Sequence, residues 1–537
     1  MIKKLFYRSI DSVTAAAFLV AASSLLSRLL GVVRDRILAG TFGAGDTLDV
    51  YYAAFRIPDL IFNLLVLGAL SAGFIPAFTN LLKGDKDRQE AWELSNNILN
   101  LLGLVMLALM ILGIIFAPWM MKLATPGFSG EKLAATVSLT RIMFLSPLLL
   151  SLSSVFGGIL QSLKRFFAYS LSPLFYNLGI IAGAYFLAPR WGITGLAWGV
   201  VLGSALHALI QLPAVLQLGW RWRPVANWRD RGVRLIMKMM TARTLALASN
   251  QINLLVVTVI ASTLASGSLA VFNLANNLQS FPVGIFGISF AIAVFPVLSA
   301  HAFDKDKLIN RLSSSVRQIL FFIIPSTVIF LLLRAQIVRL ILGTGKFNWE
   351  DTVLTMNALS LFAISFFAQA LIPLFTRVFY ARHNSRTPFA IGLTSDVINI
   401  GLALWLTRLW GVVGLALAFS LSSIINFIAL AVALRLAIGS LNEKRIVLWV
   451  LKFSLAALAS AVVIQVIKQS LGAAVDMDRF WGVALQTGAA AGAGVAIYLL
   501  ICWLFGSPEV IRLWQYLKHR LPGKVQPPTD QSEARGI

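Results

Sequence analysis

The sequence predicts an all-α polytopic membrane protein of about 14 transmembrane helices, built as two parallel six-helix lobes with two extra helices at the C-terminal end. Three observations carry this reading. Of 537 residues, 58% are hydrophobic and only 12% charged, whereas soluble domains carry about 25% charged residues. Apolar runs of about 20 residues, the length that crosses hydrocarbon, recur along almost the whole chain. Landmarks of the first half also return in the second at an offset of about 220 residues.

Taken in order, the predicted spans lie near 13–38, 48–82, 95–121, 132–163, 166–188, 193–218, 239–263, 266–300, 311–333, 353–381, 387–408, 412–438, 446–470 and 482–506. The start is basic, but no small-residue cleavage site closes a short apolar core, so the first span reads as retained. The connections alternate in charge. One set holds Lys83, Lys86 and Arg88; Lys164 and Arg165; Arg221 to Arg234; Lys305, Lys307 and Arg311; Arg382 and Arg386; Lys444 and Arg445. The other set is Gly-rich and sparse in charge. Because cytoplasmic loops concentrate Lys and Arg, the first set is expected to be cytoplasmic, together with both termini. Residues 334–352 break the trend; LRAQIVRLIL reads as a short interfacial helix whose arginines snorkel.

The repeat sets the domain division. Phe74-Ile75-Pro76 and Asp85-Lys86-Asp87 answer to Phe295-Pro296 and Asp304-Lys305-Asp306. Pro173, Asn177, Trp191-Gly192 and Gly195 answer to Pro388, Asn399, Trp410-Gly411 and Gly414. Six spans per repeat is an even number, so the two copies share one orientation. Parallel repeats of this kind are a transporter architecture, with substrate bound at their interface. The expected divisions are therefore 1–220 and 221–440 for the lobes, 441–508 for the last two spans, and 509–537 for a polar, basic cytoplasmic tail.

Several function classes drop out. The net charge of +23 sits in short loops between spans, which excludes a nucleic-acid partner. The single cysteine, Cys502, excludes an internal disulfide and a cysteine metal cluster. The four histidines are scattered without ligand spacing. Asp476-Met477-Asp478 resembles a sugar-nucleotide transferase motif but falls in an outer loop. There is no Walker A sequence. No cofactor is expected, and energy must come from Na⁺, H⁺, the membrane potential or the substrate's own gradient.

The informative stretch is Ser27 to Asn63. Arg28, Arg34, Asp35 and Arg36 lie within the first span, and Asp49, Arg56 and Asp59 within the second. Ionisable groups in hydrocarbon cost several kcal/mol and usually face a bundle interior or a water-filled cavity. Arg28, Gly31 and Asp35 share one helix stripe; Asp49, Arg56 and Asn63, each seven apart, make a second. The pattern predicts a helical hairpin lining a hydrophilic, net-basic chamber. In the second half the polar groups are mostly uncharged. Asn273, Asn276, Asn277 and Ser280 form one stripe in the eighth span, and Asn250, Asn253 and Thr258 lie in the seventh. These either line the chamber or bond between helices. Asp396 and Asn399, one turn apart in the eleventh span and next to Ser422 and Ser423, either bind Na⁺ or a proton or pack helices.

These residues resemble a known family. Ser27-Arg28, Gly31, Arg34-Asp35, Phe42-Gly43-Ala44-Gly45, Asp49 and Ile57-Pro58 look like the start of the MurJ (MviN) lipid II flippases. That family belongs to the multidrug/oligosaccharidyl-lipid/polysaccharide (MOP) superfamily, with the MATE drug exporters. Further matches are Ala265 to Ser268, Phe281-Pro282 with Gly284 and Gly287, Gly345-Lys346-Phe347, Phe379 to Arg382 and Thr387-Pro388, so the likeness covers roughly residues 24–440. It implies 14 spans, two lobes around a central cavity, and a groove from the last two helices that holds a lipid tail. It also implies translocation of lipid II, the undecaprenyl-pyrophosphate-linked disaccharide-pentapeptide, across a bacterial cytoplasmic (inner) membrane for peptidoglycan synthesis, cell-wall biogenesis and cell shape. Implied partners are that substrate, membrane lipids and cell-wall synthesis proteins. Arg28, Arg34 and Asp49 fall on the family's functional positions. The chain departs from well-known members, which carry basic residues where it has Phe62-Asn63, an Asp-Arg pair where it has Asn276-Asn277, and an acid at Ser280.

Substrate contacts are accordingly expected from Arg28, Arg34, Asp35, Asp49, Arg56, Asn63, Asn276 and Asn277. The chain is expected to be a flippase and not an enzyme. At the level of sequence two alternatives stand: a superfamily exporter of a drug or another polyprenyl-linked glycan, and a non-transporting scaffold for cell-wall synthesis.

Overall fold

The computed structural model describes residues 13–67, 73–82 and 88–520. Among them there is no β-strand. In chain order the helices are α1 (Val13–Phe42), α2 (Asp46–Phe62), α3 (Ile75–Leu81), α4 (Arg88–Ala124), α5 (Gly130–Met143), α6 (Leu145–Ser162), α7 (Phe166–Ala182), α8 (Ala188–Leu209), α9 (Leu212–Gln217) and α10 (Arg231–Ser262). They continue as α11 (Ser268–Pro282), α12 (Ser289–Ala300), α13 (Lys305–Leu332), α14 (Arg334–Ile341), α15 (Trp349–Ile364), α16 (Phe366–Ala381), α17 (Arg386–Ile438), α18 (Glu443–Ala474), α19 (Phe480–Leu504) and α20 (Pro508–Arg520). The expected termini, Lys83, Lys86 and the Asp85-Lys86-Asp87 anchor lie outside the described residues.

This is a multi-pass membrane protein. Among the described residues, eight helices are long and apolar enough to cross a bilayer, nine with one bent pair counted together. Two of these stretches, Phe166–Gln217 and Arg386–Ile438, run for 52 and 53 residues. At 1.5 Å per residue, either would extend about 80 Å if straight, more than twice the hydrocarbon thickness. Each reverses at a glycine: Gly192 has φ 56° and ψ −141°, and Gly411 has φ 55° and ψ −134°. That region is open to glycine almost alone. Three residues on, Gly195 and Gly414 allow close approach, since a Cβ would strike the backbone of Leu187 and of Leu406 respectively. Lys164 and His383, another corresponding pair, both adopt φ 58°. The two halves thus repeat in backbone conformation as well as in landmarks.

Several expected spans are not straight. The span expected over 353–381 is broken at Ser365, where α15 and α16 meet at 47°. The fourth breaks at Phe144, between α5 and α6. In the second and eighth, wider π-type turns follow at Asn63–Leu67 and Val283–Ile288. The latter comes directly after Pro282, whose missing N–H interrupts the helical ladder. The tail begins as a helix, α20, with Pro508 in the first turn and Glu509 buried.

The chain forms two compact units. The first comprises Met1–Phe281, Arg334–Ala368 and Asn384–Leu430 and contains the whole charged hairpin. Phe74, Phe78, Met106, Ile159 and Ile236 are among its fully or nearly fully buried core residues. The second comprises Pro282–Leu333, Gln369–His383 and Ala431–Ile537. Its core packs Phe453 and Tyr498 against Phe321, edge-on and tilted respectively, and the Tyr498 hydroxyl donates to the Phe321 carbonyl at 2.8 Å. Beside it Arg317 and Glu509, both buried, approach at 3.5 Å.

Candidate functional site: a one-sided basic cavity

A cavity of about 140 Å³ lies in the first unit, lined by Arg28, Gly31, Arg34, Asp35, Asn277 and Ser280 among others. The stripe read from α1 therefore meets the polar stripe of α11. Among the described residues no side chain occupies the space beside Gly31, where a Cβ would meet nothing within 4 Å.

The charges here are not equivalent. Arg34 donates to Asp35 Oδ1 through Nε at 3.0 Å and Nη2 at 2.8 Å, and through Nη1 to Asn177 Oδ1 at 3.2 Å. The other Asp35 oxygen accepts Asn277 Nδ2 at 2.8 Å. Asn177 in turn donates to the Pro173 carbonyl at 3.1 Å. Arg34 and Asp35 thus form a neutral pair stitched to α7 and α11. Arg36 is used elsewhere: its Nη1 donates to the carbonyls of Leu340 and Ile341 at 2.5 and 3.3 Å. These sit at the end of α14, where a helix presents unsatisfied carbonyls and favours cations. Arg28 differs from both. Its Nη1 meets the carbonyl oxygen of Ser280 at 3.2 Å, and among the described residues no carboxylate pairs with it. A guanidinium has five donors, so Arg28 keeps capacity for an anion.

The second stripe goes elsewhere. Asp49 is 2% exposed. It accepts the N–H of Gly267 at 2.8 Å and of Ala270 at 2.9 Å, and pairs with Lys132 at 2.9 Å. It therefore caps the start of α11, where backbone N–H groups and the helix dipole favour a carboxylate. Gly267 has φ +84°, and a Cβ there would overlap the Ala44 carbonyl. Asp46 joins the same cluster, accepting Lys132 Nζ at 2.5 Å and Ser266 Oγ at 2.6 Å. These two bonds hold the Asp46 carboxyl below its usual range. Arg56 donates to Thr258 Oγ1 at 2.9 Å, and Asn63 to the Asp59 carbonyl at 2.8 Å. Asn276 accepts Gln279 Nε2 at 2.8 Å. None of Asp49, Arg56, Asn63 and Asn276 is among the residues lining the cavity.

Further bonds extend the Asp49 cluster into a band of polar ties. Lys346 N donates to the Gly40 carbonyl at 2.8 Å, and Ala44 N to Asp351 Oδ2 at 3.1 Å. The α1–α2 turn is thereby fastened to the start of α11 and to the segment leading into α15. Lys132 and Asp351, both partners in this band, were not singled out from sequence. Their partners within this band lie 83 and more residues away, and no local pattern marks such a pairing.

Asp396 accepts Ser249 Oγ at 2.5 Å, and Asn399 Nδ2 donates to Asn253 Oδ1 at 2.9 Å. These are two rungs between α10 and α17. The Ser422 and Ser423 hydroxyls donate to the Phe419 carbonyl of their own helix. Asn399 Oδ1 is buried and has no hydrogen-bond partner among the described residues. Among the described residues no group of three His, Cys, Asp or Glu is placed to hold a metal ion.

Comparison with known proteins adds to this geometry. Residues 38–484 match the family described as "Lipid II flippase MurJ". A "Probable lipid II flippase MurJ" of Buchnera aphidicola is 31% identical over 418 residues, covering 77% of this chain and 82% of that protein. One from Vibrio cholerae is 29% identical over 507 residues, covering 91% and 96%. A solved structure titled "Lipid II flippase MurJ, inward closed conformation" superposes with a TM-score of 0.75 at 24% identity, covering 91% of this chain and 98% of that one. An inward-facing MATE transporter of the MOP superfamily gives 0.64 at 15% identity, covering 78% and 96%.

Proposed function

The chain belongs to the MurJ family of lipid II flippases, and from that premise we propose that it carries lipid II from the cytoplasmic to the outer leaflet of a bacterial inner membrane by alternating access. It is a transporter and not an enzyme. The observation that carries the site assignment is Arg28, a guanidinium in a membrane-embedded cavity with no carboxylate partner among the described residues. The headgroup's pyrophosphate supplies the missing anion, gripped by paired N–H donors in a geometry that lysine lacks. Arg34, Asp35 and Asn277 hold the wall around it. At about 140 Å³ the cavity seats one charged group and not the whole disaccharide-pentapeptide, so the chamber must widen during the cycle while the prenyl tail stays in lipid.

The two repeats, 1–220 and 221–440, supply the rocking bodies, and residues 441–508 the groove for the tail. The band of ties around Asp49 closes one end and must part when that end opens. With the Lys/Arg-rich loops cytoplasmic, the closed end faces outward. Each charge moved through the full field is worth about 2.3 kcal/mol per 100 mV, so voltage biases the cycle. Asp396 and Asn399 are proposed to take a coupling cation: the orphaned Asn399 oxygen favours this, and the donors are all oxygen, which suits a hard cation.

Complementation tests the function. Expression in a MurJ-depleted bacterium is expected to restore growth and surface exposure of lipid II, with flipping in Asp396→Asn losing dependence on Na⁺ or pH. Failure to rescue despite normal membrane insertion would instead favour another superfamily substrate or a scaffold. An unchanged ion dependence in Asp396→Asn would leave that carboxylate as a helix-packing rung.

A further inference from the structure

The connection between α9 and α10 is a second built site. Residues 219–230 read GWRWRPVANWRD. Trp220 anchors one end in the core, 4% exposed and edge-on to Phe156 at 5.6 Å. At the other end, the Asp230 carboxylate accepts Val233 N at 2.9 Å and caps α10. Between them the segment is fastened to α4 by three asparagines. Asn96 donates to the Arg221 carbonyl at 2.9 Å and accepts Arg223 N at 3.0 Å. Asn97 pairs with both backbone groups of Asn227, at 3.0 and 2.7 Å. Asn100 donates to the carbonyls of Arg223 and Val225 and accepts the Trp222 indole N–H at 3.0 Å.

A connection so fixed still leaves its largest side chains uncovered. Trp222 is 60% and Trp228 51% exposed. Arg221, Arg223, Arg229, Arg231 and Arg234 are exposed too, and of these only Arg223 forms an ion pair among the described residues, with Glu93 at a loose 3.8 Å. Trp228 also forms one wall of an apolar cavity of about 210 Å³, shared with Phe74, Ile98, Val105, Ile236 and Met240. A slot lined almost wholly by carbon therefore adjoins a rigid rim of arginines and tryptophans. Tryptophan favours the headgroup layer, where its ring is half in hydrocarbon and its N–H is in a polar layer. Clustered arginines attract anionic lipid, at about 1 kcal/mol per residue.

We propose that this rim and slot form a site for an anionic phospholipid, one acyl chain in the cavity beside Trp228 and the phosphodiester headgroup on Arg221, Arg223 and Arg229. The assignment is independent of which molecule the protein transports. The asparagine clamp is what separates a site from a loose basic loop: it fixes the backbone that carries the arginines, in the same segment as Trp228 at the wall of the slot. An acidic protein partner would use the charges but would leave the slot empty.

Native mass spectrometry of the purified full chain, titrated with phosphatidylglycerol and separately with phosphatidylcholine, tests this. The expected result is a saturable phosphatidylglycerol adduct, weakened about tenfold or more in the triple variant R221Q/R223Q/R229Q, with phosphatidylcholine adducts unchanged. Asn100→Ala keeps every charge and is expected to weaken phosphatidylglycerol about threefold by loosening the rim. Thermal melts confirm folding, and weakening of the wild-type adduct by added salt gives a variant-free check. Equal binding of the two lipids by the wild type, or undiminished phosphatidylglycerol binding by the triple variant, would overturn the proposal. Loss in the triple variant with none in Asn100→Ala would reduce the site to diffuse charge and would also overturn it.

Discussion

The two repeats share a backbone and differ in chemistry. Gly192 and Gly411 take the same rare conformation, and Gly195 and Gly414 make the same close approach. Yet the first copy carries Arg28, Arg34, Asp35, Asp49, Arg56 and Asp59 on its opening hairpin, while the corresponding α10 and α11 offer Ser249, Asn253, Asn273, Asn276, Asn277 and Ser280. Scaffold geometry is set by glycine and helix packing, which duplication preserves. Charge is set by individual side chains, which the two copies carry independently. An anion held between such copies is gripped from one side and merely hydrogen-bonded from the other.

Two experiments sharpen that contrast. The larger effect is expected in the charged copy. Asp35→Ala leaves Arg34 and Asn277 without their shared acceptor; Asp35 is buried and Arg34 only partly so, and the expected cost is about 3 kcal/mol, the low end for breaking a buried pair. The matching change among the amides, Asn253→Ala, removes one hydrogen bond to Asn399 and is expected to cost about 1 kcal/mol. Equal losses in thermal or denaturant melts would show that the copies are energetically alike. The smaller test addresses the scaffold. Gly192→Ala and Gly411→Ala each force a side chain into the same strained region, at about 1–3 kcal/mol. No contact would need to be lost, because a Cβ at either meets nothing within 4 Å. Matching losses are expected; one large and one negligible loss would break the equivalence of the two turns.

The scaffold was largely legible in sequence. Apolar length and recurring Trp-Gly pairs report on local requirements, and those survive in the spans and in the two glycine turns. The division of labour among the charges was less legible. Residues at i and i+1 do not share a helix face, so nothing in the pattern marked Arg34 as folding back on Asp35. Asp49 looked like a chamber residue because it shares a heptad stripe with Arg56. Its role as a cap for α11 depends on an element more than 200 residues further on. The clamp of Asn96, Asn97 and Asn100 was invisible for the same reason, since its partners are backbone groups of residues 221–227. What the spacing did carry was the shared stripe of Arg28, Gly31 and Asp35, all three of which line the cavity.

The central claim is that Arg28 is the cation left open for the substrate's pyrophosphate, and its direct test is lipid II binding. Native mass spectrometry of wild type, Arg28→Ala and Arg28→Lys, paired with growth rescue in MurJ-depleted cells, reads it. The expected result is loss of the lipid II adduct and of rescue in Arg28→Ala at normal expression, with Arg28→Lys substantially impaired because a point charge lacks the planar fork. Full binding and full rescue by Arg28→Ala would contradict the account and leave this arginine a partner of the Ser280 carbonyl and nothing more.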